Sequence, residues 1–218
     1  MRFRRYIFKV IKSGYFWQRT DVKGKTSRYI LFFSKTQLLI IAVSIFVHFR
    51  LKTSLNEGFV GYAISALSIF VGLFLTLILS IFDKFQNTFS NINGRETETE
   101  NINLIRYKNF SIQFTSLMSY AILISVLCIL LLSIRLVTDY FNDSIYNHPF
   151  VNYKNWNRGN VEKFLELLSI SLYNVSLLYF LLDLILIILY GLGALHAYLM
   201  TEYSKYTVKK RNTPNSQL

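Results

Sequence analysis

Apolar residues in this chain gather in long unbroken runs rather than in alternating or striped patterns. The longest covers residues 165–200, where the only acidic or basic residues besides His196 are Glu166 and Asp183, and proline is absent. Inside hydrocarbon no water reaches the backbone, so such a run satisfies its N–H and C=O groups best as a single helix. Three further runs precede it, and together they predict an all-α, polytopic membrane protein. The expected fold is a four-transmembrane-helix bundle with spans at about 29–49, 59–82, 116–134 and 176–198. A basic amphipathic arm, 1–28, and a basic tail, 205–218, flank a membrane domain at 29–204.

The first span is the shortest. Its clean run, 36–49, has 14 residues, and reaches bilayer length only if extended back through Tyr29 with Lys35 snorkelling or facing the bundle. The second carries a stripe of small residues, Gly61, Ser65, Ser68, Gly72, Thr76 and Ser80, at spacings of four or three. Small residues let helix backbones approach closely, so this face is expected to meet another helix, in the same chain or in a second copy. Gly193 and Ala197, beside Gly191 and Ala194, form a similar face on the fourth span. Past the second span the apolar period continues through Phe85, Phe89 and Ile92 to an Asn93-Gly94 turn, which suggests a helical hairpin beyond the membrane. The fourth helix, read as residues 161–203, has 43 residues and would be about 65 Å long, so part of it projects. Asp183 then falls within the outer half of the bilayer. An ionisable group there costs a few kcal/mol, and three roles are open to it: a structural or protonated contact, an ion or proton path, or a wet site near the interface. Lys35, Lys52 and the hydroxyls of spans two and three are its candidate partners.

Charge then orients the runs. The 218 residues carry a formal charge of +12, but the basic residues lie mostly outside the apolar runs, where anionic headgroups are the natural partner. Ten Lys and Arg precede the first span's core, four lie between spans two and three and four follow Met200, against six on the opposite side. The positive-inside rule therefore places both termini in the cytoplasm of a cell with an inner membrane. In the arm, Phe3, Ile7, Val10 and Ile11 recur on one helical face and Arg2, Arg5, Lys9 and Lys12 on another, with Arg4 beside them. Arg2, Arg4, Arg5, Lys9 and Lys12 are thus candidates for contact with lipid or a protein partner. Tyr6, Tyr15, Phe16 and Trp17 could stack on nucleic acid, but no recognised nucleic-acid module accompanies them. The first 28 residues lack the apolar core of a cleaved signal peptide, so the first span is expected to direct insertion.

Recognisable catalytic chemistry is missing. The chain contains no Gly-rich phosphate loop, paired CxxC, HExxH, GxSxG or kinase signature, so no cofactor and no enzymatic activity are expected. The lone Cys128 reads as a packing residue. His148 has no ligand at metal spacing, and the aromatic connection around it, with Tyr140, Phe141, Tyr146, Phe150, Tyr153 and Trp156, suits the headgroup level.

Three strings carry a likeness to known proteins: Ile81-Phe82-Asp83-Lys84-Phe85, Ile105-Arg106-Tyr107-Lys108-Asn109 and Ala194-Leu195-His196-Ala197-Tyr198-Leu199-Met200. In these positions the chain resembles the small four-span accessory proteins of type VI-B CRISPR loci and, second, the membrane subunit of the Kiwa phage-defence system. The resemblance implies an antiviral accessory that modulates an RNA-targeting CRISPR effector, or acts at the membrane during infection. No Arg precedes a His by four to six residues, which separates the chain from the RNase-type accessory of such loci. An oligomeric pore or small ion or proton transporter, built on the small face of span two and on Asp183, is the alternative.

Overall fold

A computed structural model describes residues 2–18, 35–50, 57–90, 98–137 and 158–211, and all of them except Gln18 are α-helical. The helices are α1 (Arg2–Trp17), α2 (Lys35–Arg50), α3 (Glu57–Ser90), α4 (Glu98–Val137) and α5 (Arg158–Arg211). Three stretches are long and apolar enough to cross a membrane: Gly58–Thr88, Ile102–Val137 and Val161–Met200. The remaining apolar helix, α2, has 16 residues; at 1.5 Å per residue it is about 24 Å long, short of a hydrocarbon core of about 30 Å. The extension expected at 29–34 lies outside the described residues, and among the described residues three helices reach bilayer length.

The helices are longer than the apolar runs that announce them. Nothing inside α5 breaks it: it contains no proline, and Gly191 and Gly193 each cost only about 1 kcal/mol in a helix interior. It therefore runs for 54 residues, about 80 Å, and takes in the first part of the segment read as a tail. Likewise α3 continues past the membrane run to Ser90, and α4 starts at Glu98, among the acidic residues that the positive end of a helix dipole favours. The turn expected at Asn93-Gly94 lies outside the described residues.

Packing divides the chain into two compact units. The first combines Met1–Ser27, Phe74–Ala121 and Leu186–Leu218. Its core is the inward face of α4, with Phe110, Phe114, Leu117, Met118 and Ala121 all buried. α1 docks on this helix: the Ser13 hydroxyl donates to Ser116 Oγ at 2.8 Å, and Gln113 Nε2 donates to the Trp17 carbonyl at 3.4 Å. Between these bonds Gly14 lies against the base of the Tyr120 side chain, where a β-carbon would have no room. On the other flank of α4, Gly191 of α5 admits the Met118 methyl and the Phe114 ring edge. Tyr198 stacks flat on Phe110 at 4.4 Å between ring centroids and tilts against Tyr107 at 5.5 Å.

The second unit comprises Arg28–Leu73 and Ile122–Ile185. Ile40 of α2, Leu67 of α3, Ile124 and Leu132 of α4, and Ile170 and Leu177 of α5 form its apolar interior. Large apolar side chains also cover its outside, as with Ile69 and Leu73 on α3, and in the first unit Leu75 and Leu79 of the same helix are exposed as well. A soluble protein rarely exposes so much contiguous apolar surface, whereas lipid solvates it without cost.

The two glycine contacts differ in what an added side chain meets. A Gly14→Leu side chain collides with the rigid Cβ and Cγ of Tyr120, an overpacking worth about 1–3 kcal/mol, whereas a Gly191→Ala methyl meets only the swinging end of Met118. A Ser13→Cys/Ser116→Cys pair is therefore expected to cross-link within the chain on oxidation. Gly14→Leu should abolish that gel shift and Gly191→Ala should leave it intact.

Candidate functional site

Most of the buried polar side chains belong to the second unit. They come from the inward faces of three helices whose surroundings are otherwise apolar. On α2, Gln37, Ile40, Ser44 and His48 follow at spacings of three and four, one face of a helix, and all four are buried. Ser44 returns its hydroxyl to the Ile40 carbonyl at 2.8 Å, so its polarity is absorbed inside α2. His48 is different, because its Nε2 is buried with no hydrogen-bond partner among the described residues.

α4 contributes Ser125, Cys128, Leu132 and Arg135, again at helical spacing. Arg135 is 2% exposed, a guanidinium almost withdrawn from solvent. Burying such a charge is costly unless its protons find acceptors. Its Nη1 donates to Asn174 Oδ1 on α5 at 2.8 Å. One residue earlier on α5, the Tyr173 hydroxyl donates to the Leu131 carbonyl of α4. Adjacent α5 residues thus grip α4 a turn apart, one at a side chain and one at the backbone. The carbonyl of Leu131 gains a second donor beyond its helical one, which a carbonyl with two lone pairs can accept.

About two and a half turns further along α5 lies Asp183. It is 1% exposed, and its Oδ1 has no hydrogen-bond partner among the described residues. Cys128, across on α4, and Tyr179, one turn back on its own helix, lie within electrostatic reach of its carboxyl. Ser125, three residues before Cys128 and therefore on the same side of α4, is fully buried with its hydroxyl also unbonded. A carboxylate, a hydroxyl, a thiol and a phenol are thus brought to one part of the interior.

Sequence reasoning found Asp183 but not this setting. Lys52 lies outside the described residues, as does the side chain of Lys35. In the sequence Arg135 simply follows the apolar run 116–134, where a basic residue is ordinary, and His48 sits near the end of another run with nothing to single it out. The available signal was the spacing: Gln37, Ser44 and His48 recur on one side of α2, as do Ser125, Cys128 and Arg135 on α4.

Other singled-out residues lie elsewhere. Gly61, Ser65, Ser68 and Gly72 are on the exposed face of α3, while that helix buries Val60, Leu67 and Phe74. Ser65 and Ser68 return their hydroxyls to the carbonyls of Gly61 and Ile64 at 3.0 and 2.8 Å. A β-carbon on Gly61, Gly72 or Gly193 would meet nothing within 4 Å. On α5, Gly193 and Ala197 are exposed, and the buried small residues are Gly191 and Ala194. Arg4, Arg5, Lys9 and Lys12 of α1 are exposed. Arg4 lies over the Phe8 ring at 5.6 Å and Lys9 over Tyr6 at 5.8 Å. The side chain of Arg2, and the aromatic connection at 138–157 with His148, lie outside the described residues.

No protein-family model matches the chain, and neither does any curated protein or any solved structure.

Removing the Arg135 acceptor leaves a buried guanidinium short of a partner. Asn174→Leu should lower stability in detergent by about 1.5–3 kcal/mol, the range for a hydrogen bond to a charged group. The Arg135→Met/Asn174→Leu double variant should recover most of that loss in the same denaturation series, since both polar groups then go together.

Proposed function

We propose that the chain is a four-span protein of a prokaryotic cell membrane, with both termini cytoplasmic, acting as an accessory to a soluble effector of antiviral defence. In this reading α2, lengthened by the residues before it, is the first span. Gly58–Thr88, Ile102–Val137 and Val161–Met200 hold the other three. The excess of Lys and Arg on the side of the termini supports the orientation.

One observation carries the accessory role. α1 is fastened to α4 through Ser13, Gly14 and Trp17, yet it leaves Arg4, Arg5, Lys9 and Lys12 exposed. A basic helix held on a membrane-length helix is presented in a fixed place, next to anionic headgroups and open to an acidic surface on a soluble protein. Tyr6, Phe8 and Phe16, also exposed, suit the apolar side of such an interface. The effector class follows the resemblance in the second to fourth spans, an RNA-targeting CRISPR effector acting near the inner leaflet.

Co-expression of the tagged chain with such an effector tests the role. The effector should co-purify, and changing Arg2, Arg4, Arg5 and Lys9 to Gln should weaken its binding by about thirtyfold, at roughly 0.5 kcal/mol for each of the four charges. Recovery equal to that of the unaltered chain would contradict it.

A second reading, a small ion or proton transporter, is favoured by the buried Asp183 with its unbonded Oδ1. Proteoliposomes should then show an ion flux that Asp183→Asn abolishes, and a flux indifferent to that change would remove the reading.

A further inference from the structure

Among the described residues Asp183 is the one buried acidic side chain, and none of them settles it in the usual ways. It makes no ion pair with a described residue, and Oδ1 accepts no hydrogen bond. The buried guanidinium of the same unit, Arg135, directs its Nη1 to Asn174, about two and a half turns away along α5. A carboxylate in these surroundings stays charged only if a counter-charge joins it, and stays neutral only if it holds a proton.

The groups around it define what can join it. Cys128 of α4 and Tyr179 of α5 lie within electrostatic reach of it, and Ser125 adds an unbonded hydroxyl from the same side of α4. Farther out stand Arg135 and Tyr173, and α2 supplies His48. From α3 the buried residues of this unit, among those described, are Val60 and Leu67. Among the described residues no group of three His, Cys, Asp or Glu could hold a metal ion. A divalent cation would keep a net positive charge beside a single carboxylate and lack the six to eight oxygens that calcium takes. A single positive charge leaves the site neutral, with the free carboxylate oxygen to receive it and the unbonded Ser125 hydroxyl, on the Cys128 side of α4, as a further oxygen donor.

We propose that Asp183, with Ser125, Cys128 and Tyr179 around it, is a reversible binding site for one small monovalent cation, a proton or an alkali ion, in the interior of the second unit. The site deepens the transporter reading by naming its ion class and rests on that reading. Cation binding and cation passage are separate measurements, so either can fail alone. Cys128 and Tyr179 surround the ion, while Ser125 supplies the hydroxyl that an alkali ion needs and a proton does not.

The test uses the full chain in proteoliposomes and the lipid-soluble reagent dicyclohexylcarbodiimide, which reacts with protonated carboxyls in apolar surroundings. The adduct is read by mass spectrometry of the peptide bearing Asp183. A responsive site yields an adduct that falls about tenfold per pH unit above its midpoint and is absent in Asp183→Asn. Suppression by sodium or lithium at constant pH identifies an alkali-ion site, and Ser125→Ala should weaken it several-fold; dependence on pH alone identifies a proton site. An adduct yield flat from about pH 5 to about pH 9 and indifferent to both ions overturns the proposal. So does the absence of any adduct in protein that still forms the Ser13→Cys/Ser116→Cys cross-link. A responsive adduct without flux upholds the site and removes the transporter reading, whereas flux without a responsive adduct overturns the site.

Discussion

At bilayer depth a polar group has no water to turn to, and that requirement governs this chain from backbone to side chain. The backbone meets it by being helical almost wherever it is described, and α3, α4 and α5, at 34, 40 and 54 residues, are far longer than the soluble average of three or four turns. The side chains meet it unevenly. Ser44, Ser65 and Ser68 fold their hydroxyls back onto their own helices, so they cost little and join nothing. Arg135 and Tyr173 spend their donors across the α4 to α5 contact, and there polarity becomes a specific link between two helices that lipid alone would not hold in register.

The two units solve association differently. In the first, the contacts are close and largely shape-based: Gly14 against Tyr120, Gly191 against Met118 and Phe114, and flat rings at Phe110 and Tyr198. With no hydrophobic drive between helices in lipid, such dispersion contacts are what hold them together. In the second, buried Gln37, His48, Ser125, Arg135 and Asp183 replace part of that packing. Polar groups in such a place cost stability, and the residues left unbonded, His48, Ser125 and Asp183, cost most. Stability does not explain them, which is why a bound cation is the sharper account of Asp183.

Much of this architecture is legible in the sequence because the apolar runs leave the backbone a single option. The lengths are less legible, since hydropathy marks where a helix is apolar and not where it ends: α3, α4 and α5 all continue through polar residues such as Asn87, Arg106 and Tyr203. Which small residues pack within the chain is also not legible, for a related reason. Gly193 with Ala197 and Gly191 with Ala194 are equally small, and only the partner's shape, the bulk of Met118 and Phe114, selects the second pair for burial. Asp183 stands out as a charge in an apolar run, but its company does not, because Ser125, Cys128 and Tyr179 are ordinary residues until two helices bring them near.

The central claim is that these helices have lipid as their solvent. Alkaline carbonate extraction of membranes from cells making the full chain tests it directly. A polypeptide embedded through its apolar helices stays in the membrane pellet and leaves only with detergent. Release into the carbonate supernatant would contradict it, because a chain that dissolves without lipid would have to cover Ile69, Leu73, Leu75 and Leu79 in some other way.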